Sequence, residues 1–126
     1  MSGAKRRARR RNPSEVGTHS RRKGASWERD LARRFRAAMP GSNARRESQS
    51  RAGDECADVV GPDFSIECKA HKKTNVRAAL RQAIACAPAG EWAVAVCKDD
   101  RMEPFVAMRL ADFLGLVSEW WAGRQQ

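Results

Sequence analysis

The sequence predicts a single α/β domain in which helices flank a small mixed sheet, and three observations support this class. Apolar residues at helical spacing alternate with short strand-like segments, in the order helix, strands, helix, strand, strand, helix. The chain has 126 residues, of which 41% are hydrophobic, enough for one ordinary core but not for two full domains. It holds no run of about 18 apolar residues, so no membrane-spanning helix is predicted.

The formal net charge of +10 is concentrated at the N-terminus, where residues 1–23 carry nine basic residues and one acid. Met1 and Val16 are the only large aliphatic residues of this segment, so we expect a disordered basic arm over residues 1–23. Such an arm lies along phosphates, acts as a nuclear address or is a solubilising tail. The folded domain is expected over residues 24–121, and a short tail over 122–126.

The composition also bears on partners and compartment. A strongly basic chain favours a polyanionic partner, above all nucleic acid. No secretory signal and no C-x-x-C pair occur, so the four cysteines are expected to be reduced. We therefore expect a cytoplasmic protein of a prokaryotic or phage-infected cell, with no membrane partner, no disulfide and no zinc site.

The first helix of the domain is predicted to begin at Ser26, a suitable N-cap, and to run to about Met39, where Pro40 follows. Its buried stripe is formed by apolar residues at helical spacing, namely Trp27, Leu31, Phe35 and Ala38. Glu28 lies about 65° from the centre of this stripe at about 100° per residue. The Glu28 side chain is therefore predicted to point toward whatever the helix covers.

A β-hairpin is predicted after the helix. Its strands cover residues 57–60 and 64–70, and residues 61–63, Gly-Pro-Asp, have the composition of a tight turn. A weaker strand is predicted near residues 43–48. The hairpin matters for function because it brings the chemical groups of its two strands side by side.

The remainder is predicted as a helix, two strands and a final helix. The second helix is capped by Asn75 or Thr74 and stops at Pro88, and strands follow over residues 92–97 and 105–108. The last helix carries large apolar residues at helical spacing: Leu110, Phe113, Leu114, Val117, Trp120 and Trp121. Its two tryptophans either stack on bases or pack in a core or a dimer interface, and the helical spacing favours packing.

The hairpin carries the residues with the clearest chemistry. Side chains alternate along a strand, so Glu67 and Lys69 share one face, and the turn brings Asp58 beside Glu67. Two converging carboxylates repel each other unless a cation joins them. Mg²⁺, with Mn²⁺ as a substitute, suits Asp58, Glu67 and a strand carbonyl, that of Cys68. Lys69 would then orient or deprotonate a metal-bound water that attacks a phosphodiester.

These residues resemble the PD-(D/E)xK nuclease superfamily, and within it the small Holliday junction resolvases of archaea and phages. Asp58 is followed after eight residues by Glu67-Cys68-Lys69, and residues 23–29 resemble the K-G-x-x-x-E-R opening of that group's first helix. The resemblance covers residues 23–98 and implies a restriction-endonuclease-like αβββαβ core. Ala57 stands where the motif has proline, which supplies no metal ligand.

The resemblance also implies roles for individual residues. Asp58 and Glu67 would bind the metal, Lys69 would activate or position the water, and Glu28 would support the site. Gln82 falls where some relatives place a supporting glutamine, although a solvent-facing glutamine is an equal alternative. The resemblance further implies a homodimer that cuts symmetrically near a four-way junction.

The sequence analysis therefore predicts a Mg²⁺-dependent DNA endonuclease, a Holliday junction resolvase acting on branched DNA, with no organic cofactor. The phosphate-binding side chains are expected to be Arg45, Arg46, Arg51, Lys72, Lys73, Arg77 and Arg81. His71 is expected to be a bystander. The alternatives are another nuclease of this superfamily (nickase, repair or restriction type), a non-catalytic basic nucleic-acid-binding module, or an RNA-binding ribosome-associated protein.

Overall fold

The computed structural model describes residues 13–47 and 57–125 as three helices on a mixed five-stranded sheet. The elements are α1 (Pro13–Ala38), β1 (Arg45–Arg46), β2 (Val59–Gly61), β3 (Phe64–His71), α2 (Val76–Cys86), β4 (Trp92–Asp99), β5 (Phe105–Ala107) and α3 (Leu110–Arg124). The strands lie in chain order, with β3 and β4 parallel and the other neighbours antiparallel. The predicted α/β class and the predicted order of elements are confirmed.

Helix α1 begins at Pro13 and not at Ser26, so the expectation of a disordered segment is wrong for residues 13–23. Residues 1–12 lie outside the described residues. Proline is favoured at the first position of a helix, and an acid such as Glu15 is favoured in the first turn. Extending a helix that is already anchored requires no new nucleation, so these local signals suffice without burial. Ala38, predicted in the buried stripe, is exposed.

The β2–β3 hairpin turns on Pro62 and Asp63, within the predicted turn of residues 61–63. Asp63 has a φ of 66°, in the left-handed region that aspartate tolerates better than most residues. The first strand of the hairpin covers Val59–Gly61 and not residues 57–60, because Gly61 pairs with Phe64 and Asp58 lies before the ladder. The short strand β1 (Arg45–Arg46) lies within the predicted segment 43–48 and pairs with β2.

The two faces of the sheet pack against different helices. Helix α1 covers one face with large residues, and the core there contains Trp27, Leu31, Ala32, Val59, Ile66, Cys68, Val94 and Val96. Helix α2 covers the other face with small residues, and that core contains Ala79, Ala83, Ala93, Ala95 and Cys97. In the parallel register Glu67 lies beside Ala95 and Lys69 beside Cys97. Both charged side chains are consequently on the face that α2 covers.

The start of α2 is tied to the carboxyl ends of β3 and β4. The Asn75 side chain caps the helix by accepting a hydrogen bond from the Ala78 N–H at 3.1 Å. The Thr74 N–H donates to Asp99 Oδ1 at 2.8 Å. The strand predicted over residues 92–97 extends to Asp99, which ends β4 and holds the loop that precedes α2. This connection fixes the helix next to Lys69.

Helix α3 touches the body of the domain through a glycine. A Cβ atom at Gly115 would lie 2.9 Å from Cζ3 of Trp92 and would overlap that ring. None of the α3 residues is buried, and Trp120 and Trp121 are 59% and 56% exposed, so neither packs in the core that residues 13–47 and 57–125 form. No helix in the described part of the chain is both long and apolar enough to cross a membrane.

We expect Gly115→Val to destabilise the protein by about 2 kcal/mol relative to Gly123→Val, as measured by urea unfolding. Both changes put the same β-branched residue into α3, so helix propensity is matched between them. Only the first side chain meets the Trp92 ring, whereas nothing lies within 4 Å of a Cβ at Gly123. Equal unfolding free energies for the two variants would contradict the packing of α3 on Trp92.

Candidate functional site

The candidate site lies where β2 and β3 separate. Val59 and Ile66 are the last residues paired in their ladder. The Asp58 N–H donates to Ile66 O at 2.9 Å, and Asp58 Oδ2 accepts a hydrogen bond from the Cys68 N–H at 2.8 Å. The Asp58 carboxylate thus takes the position that a main-chain carbonyl has in a regular antiparallel ladder. As a result the Asp58 carboxylate is held by the backbone of β3, and the residue is only 5% exposed.

Glu67 is the second buried carboxylate of the site, with only 3% of the residue exposed. Lys69 Nζ lies 3.0 Å from Glu67 Oε1. The other oxygen, Oε2, is buried and has no hydrogen-bond partner among the described residues. A buried carboxylate oxygen without a partner is costly, so this atom is a candidate ligand for a cation.

The two carboxylates affect each other's ionisation. The pKa of Asp58 is raised from the ordinary 3.8 to about 6: burial is the largest cause, the hydrogen bond from the Cys68 N–H opposes it, and the adjacent Glu67 adds to the increase. The weaker opposing effect of Lys69 does not cancel it. One lysine therefore compensates the pair incompletely, and a second positive charge would stabilise both carboxylates in their ionised form.

Glu28 reaches the same region from α1. Its Oε2 accepts a hydrogen bond from Arg46 Nε at 2.6 Å. Burial raises the pKa of Glu28, the hydrogen bond from Arg46 lowers it, and the charge of Asp58 raises it. Glu28 is thus close enough to Asp58 to interact with it, as predicted for a supporting residue. Arg46, predicted to bind phosphate, is instead the ion-pair partner of Glu28.

Cys68 contributes its main chain and not its thiol. Its side chain belongs to the core under α1, and burial raises the pKa of the thiol, which keeps it protonated and unreactive. The N–H and C=O of one strand residue point to the same side, so the Cys68 carbonyl faces the gap beside Asp58. This carbonyl is therefore positioned as predicted for a main-chain ligand.

Gln82 and His71 share a cleft with Lys69. The cleft has a volume of about 190 Å³ and lies between the end of β3 and the first turns of α2. Its lining consists of Lys69, His71, Thr74, Asn75, Ala78, Ala79 and Gln82. Gln82 lines the same cleft as Lys69, and its side chain is exposed, so the structure does not decide between a supporting and a solvent-facing glutamine.

The predicted phosphate-binding residues fall into separate groups. Lys72 and Lys73 follow β3, and Arg77 and Arg81 lie on α2; all four are exposed, and none of them lines the Lys69 cleft. Arg45 lies on β1, 3.8 Å from Glu47. The predicted residue Arg51 lies outside the described residues. The cations of α2 and of the segment before it are therefore available to solvent outside the cleft itself.

A second basic groove adjoins the site on the α1 face, and the sequence analysis missed it. Its volume is about 660 Å³, and it is lined by Ser26, Trp27, Arg29, Asp30, Arg33, Arg36, Ala70 and Lys98. Arg29 follows Glu28 in the chain, and Ala70 follows Lys69. Ala70 of β3 pairs with Lys98 of β4 in the parallel register, which brings both residues to the groove. Aligning the two strands from the sequence would have indicated this pairing.

The carboxylates are not gathered as a complete metal cage. Among residues 13–47 and 57–125, no three or more His, Cys, Asp or Glu side chains are grouped so that they could hold a metal ion as they stand. The ion pairs explain this: Arg46 holds Glu28, and Lys69 holds Glu67. Two carboxylates, a main-chain carbonyl and water oxygens nevertheless form a donor set that suits Mg²⁺.

Comparison with known proteins does not assign the chain to a class. No protein-family model matches it, no curated protein matches it and no solved structure matches it. Any functional conclusion therefore depends on the geometry and charge of the site itself.

We expect Asp58→Asn to remove one pH dependence of stability. Between its ordinary value of 3.8 and about 6, the folded protein binds the Asp58 proton more tightly than the unfolded chain, so ionisation destabilises the fold as pH rises through this window. Asparagine keeps an oxygen for the Cys68 N–H but carries no charge. In chelator-treated samples, the stability of this variant relative to wild type should improve by on the order of 2 kcal/mol between pH 4 and pH 7.5.

The matched control is Asp63→Asn in the exposed hairpin turn, where asparagine also tolerates the positive φ. Its stability relative to wild type should not change with pH over the same range. Urea unfolding at several pH values measures both differences. A pH-independent difference between wild type and Asp58→Asn would contradict the raised pKa of Asp58.

Proposed function

We propose that the protein is a metal-dependent nuclease that hydrolyses phosphodiester bonds of DNA. One observation carries the proposal: Asp58 and Glu67 are buried side by side, with Lys69 3.0 Å from Glu67 and Glu67 Oε2 left without a partner among the described residues. Two adjacent buried carboxylates destabilise a fold unless a cation or a proton joins them. An arrangement that is costly to stability is typical of a functional site.

The proposed metal is Mg²⁺, for which Mn²⁺ would substitute. Asp58, Glu67 and the Cys68 carbonyl would hold it, because hard divalent cations prefer oxygen ligands and Mg²⁺ retains several waters. When bound, it supplies positive charge that activates water and stabilises the phosphate. Glu28, held by Arg46, supports the site electrostatically from α1.

Lys69 is the proposed catalytic residue that acts on water. Its ammonium group is anchored on Glu67 and opens into the cleft that Gln82 lines. From this position Lys69 either orients the attacking water or accepts its proton, and Gln82 offers a further hydrogen-bond partner. The hydrolysis breaks the P–O bond to the leaving oxygen, which must receive a proton from solvent.

DNA is the proposed substrate because of where the cations lie. Exposed cations lie on α2 and in the segment between β3 and α2, and further cations line the groove on the α1 face. Lysine and arginine contacts to phosphates dominate the affinity for nucleic acid and orient the backbone without reading its sequence. We further propose a restriction-endonuclease-like core, because the order α1-β1-β2-β3-α2-β4 corresponds to αβββαβ. The preferred substrate that we propose is a branched DNA such as a four-way junction.

A second candidate is a basic nucleic-acid-binding module without catalysis. The observation that favours it is the Glu67–Lys69 ion pair, which partly neutralises Glu67 without a metal. In that case Asp58 would serve only to bind the Cys68 N–H and hold the hairpin. The two candidates differ in whether the carboxylates bind a metal ion. Thermal unfolding of the protein in the presence of Mg²⁺ measures this difference.

We expect Mg²⁺ to raise the melting temperature of the wild-type protein by a few degrees at pH 7.5. A ligand at ten times its Kd stabilises the folded state by about 1.4 kcal/mol. The increase should disappear in Asp58→Asn and in Glu67→Gln and should persist in Asp63→Asn, whose carboxylate is exposed in the turn. An equal increase in all four proteins would show non-specific binding and contradict the proposed ligands.

We expect the wild-type protein with Mg²⁺ to cleave DNA, and Asp58→Asn, Glu67→Gln and Lys69→Ala to lose at least about 100-fold in rate. Binding of the same DNA, measured in Ca²⁺ or without metal, should persist in the three variants because the basic surfaces are unchanged. Wild type and variants that bind equally and never cleave would support the binding module. Asp63→Asn is again the control that should retain activity.

The preferred substrate is identified in the same assay. Four-way junctions, flaps, nicked duplex and linear duplex of one sequence should be compared at equal concentration. Faster cleavage of the junction would support the resolvase proposal. Cleavage of linear duplex at the same rate as the junction would contradict it, while leaving a nuclease of another type.

A further inference from the structure

Helix α3 presents a stripe of large apolar side chains to solvent. The stripe, called the α3 stripe below, consists of Leu110, Phe113, Leu114, Val117, Trp120 and Trp121, and each is between 39% and 71% exposed. At about 100° per residue these six residues cover about 120° of the helix circumference. A contiguous apolar surface of this kind on a water-exposed helix marks an interaction site.

The body of the domain does not cover this stripe, because α3 packs through its opposite side. Gly115, the residue against the Trp92 ring, lies about 160° around the helix from the centre of the stripe. Asp112, which is half-buried, lies on the same side as Gly115, whereas the half-buried Leu116 lies about 100° from both Gly115 and the centre of the stripe. The helix is thus held with Gly115 and Asp112 inward and the stripe outward.

The segments outside the described residues are poor in apolar side chains. Residues 1–12 contain no large apolar residue except Met1, and residues 48–56 contain none. Both segments are rich in charged and small polar residues, which gain nothing from contact with tryptophan and leucine side chains. Their composition therefore does not favour them as the occupant of the α3 stripe.

The composition of α3 argues against two kinds of occupant. Its charged residues are Asp112, Glu119 and Arg124, so the helix itself carries a net negative charge. Helices that bind anionic membranes have a lysine- and arginine-rich polar face, and stacking on nucleic-acid bases is accompanied by cations along the backbone. Neither pattern is present on α3, which favours a protein surface.

The spacing of the stripe is self-complementary. Phe113 and Leu114 precede Val117 by four and three residues, and Trp120 and Trp121 follow it by three and four. Two such helices packed antiparallel around a two-fold axis at Val117 would place Phe113 against the partner's Trp121 and Leu114 against the partner's Trp120. A two-fold interface uses the same patch on both copies, which is what this spacing provides.

The size of the stripe is adequate for a dimer. Aromatic side chains bury about 150–250 Å² each, so six large side chains, exposed by about half, offer on the order of 600 Å². Stable interfaces bury about 800 Å² per partner. Phe105 and Val106 of the edge strand β5, which are 39% and 57% exposed and precede α3 in the chain, offer additional apolar area.

We propose that the α3 stripe is the interface of a homodimer, in which two α3 helices pack antiparallel about Val117. The 15-residue helix is about 22 Å long, so the full stripe is covered by a second copy of the same helix. Antiparallel packing also places opposite ends of the two helix dipoles together. The interface lies on a different element from Asp58 and Glu67, so the dimer does not depend on the proposed nuclease function.

Sedimentation equilibrium of the full chain under reducing conditions tests the proposal. Wild type at about 50 μM, a concentration far above the Kd typical of standard-size interfaces, is expected at twice the 14.1 kDa chain mass. Leu114→Glu and Trp121→Glu are expected at the single-chain mass, because each would bury an unpaired charge in the interface. Circular dichroism and thermal unfolding confirm that each variant is folded.

The matched control is Gly123→Glu, which adds the same charge two residues from Trp121 but outside the stripe, where nothing lies within 4 Å. It should remain a dimer. A single-chain mass for wild type would overturn the proposal, including the case in which the monomer binds lipid vesicles. A dimer that persists in both stripe variants would overturn it too, because the interface would then lie elsewhere.

Discussion

Two carboxylates that are buried side by side impose the main constraint on this structure. Asp58 and Glu67 lie at the end of the β2–β3 ladder, where a main-chain N–H and one lysine ammonium provide only part of the stabilisation that water would give. Burying an ionised group costs free energy, and the pKa of Asp58 is raised because burial disfavours its charged form. Hydrophobic residues at these two positions would suit the stability of the hairpin better. Their presence is therefore best understood through what the pair can bind.

The rest of the fold serves to hold this pair in position. The Asp58 side chain replaces a carbonyl in the ladder, so β2 leaves β3 at that point and opens a gap beside Cys68. Helix α1 brings Glu28 to the gap because its tryptophan and leucine anchor it on one face of the sheet. Helix α2 approaches the other face closely because its contact residues are alanines. The site thus lies between one helix that packs on the sheet through large side chains and another that packs through alanines.

Much of the fold and of the candidate site could be predicted because it depends on local chemistry. Alternation along β3 and the turn at Pro62 and Asp63 are enough to place Asp58 beside Glu67 and Lys69. The ion pair between Glu28 and Arg46 could not be predicted, because it joins residues of different elements. The same holds for the hydrogen bond between Thr74 and Asp99. The start of α1 at Pro13 was not predicted, because a helix was expected only where apolar residues could be buried. The proline at the first helical position and the acid in the first turn were the local signals for the earlier start.

The sequence by itself determined the order of the helices and strands, the position of the hairpin turn and the identity of the converging charged groups, since periodicity and turn residues act over a few positions. Only the tertiary structure decided which face of each element is covered. The apolar spacing of α3 indicates that one side of the helix avoids water, but it does not say what covers that side. The contact of Gly115 with Trp92 settles the orientation and leaves the α3 stripe exposed. A contact between residues 23 positions apart depends on the packing of the whole domain, which no local pattern encodes.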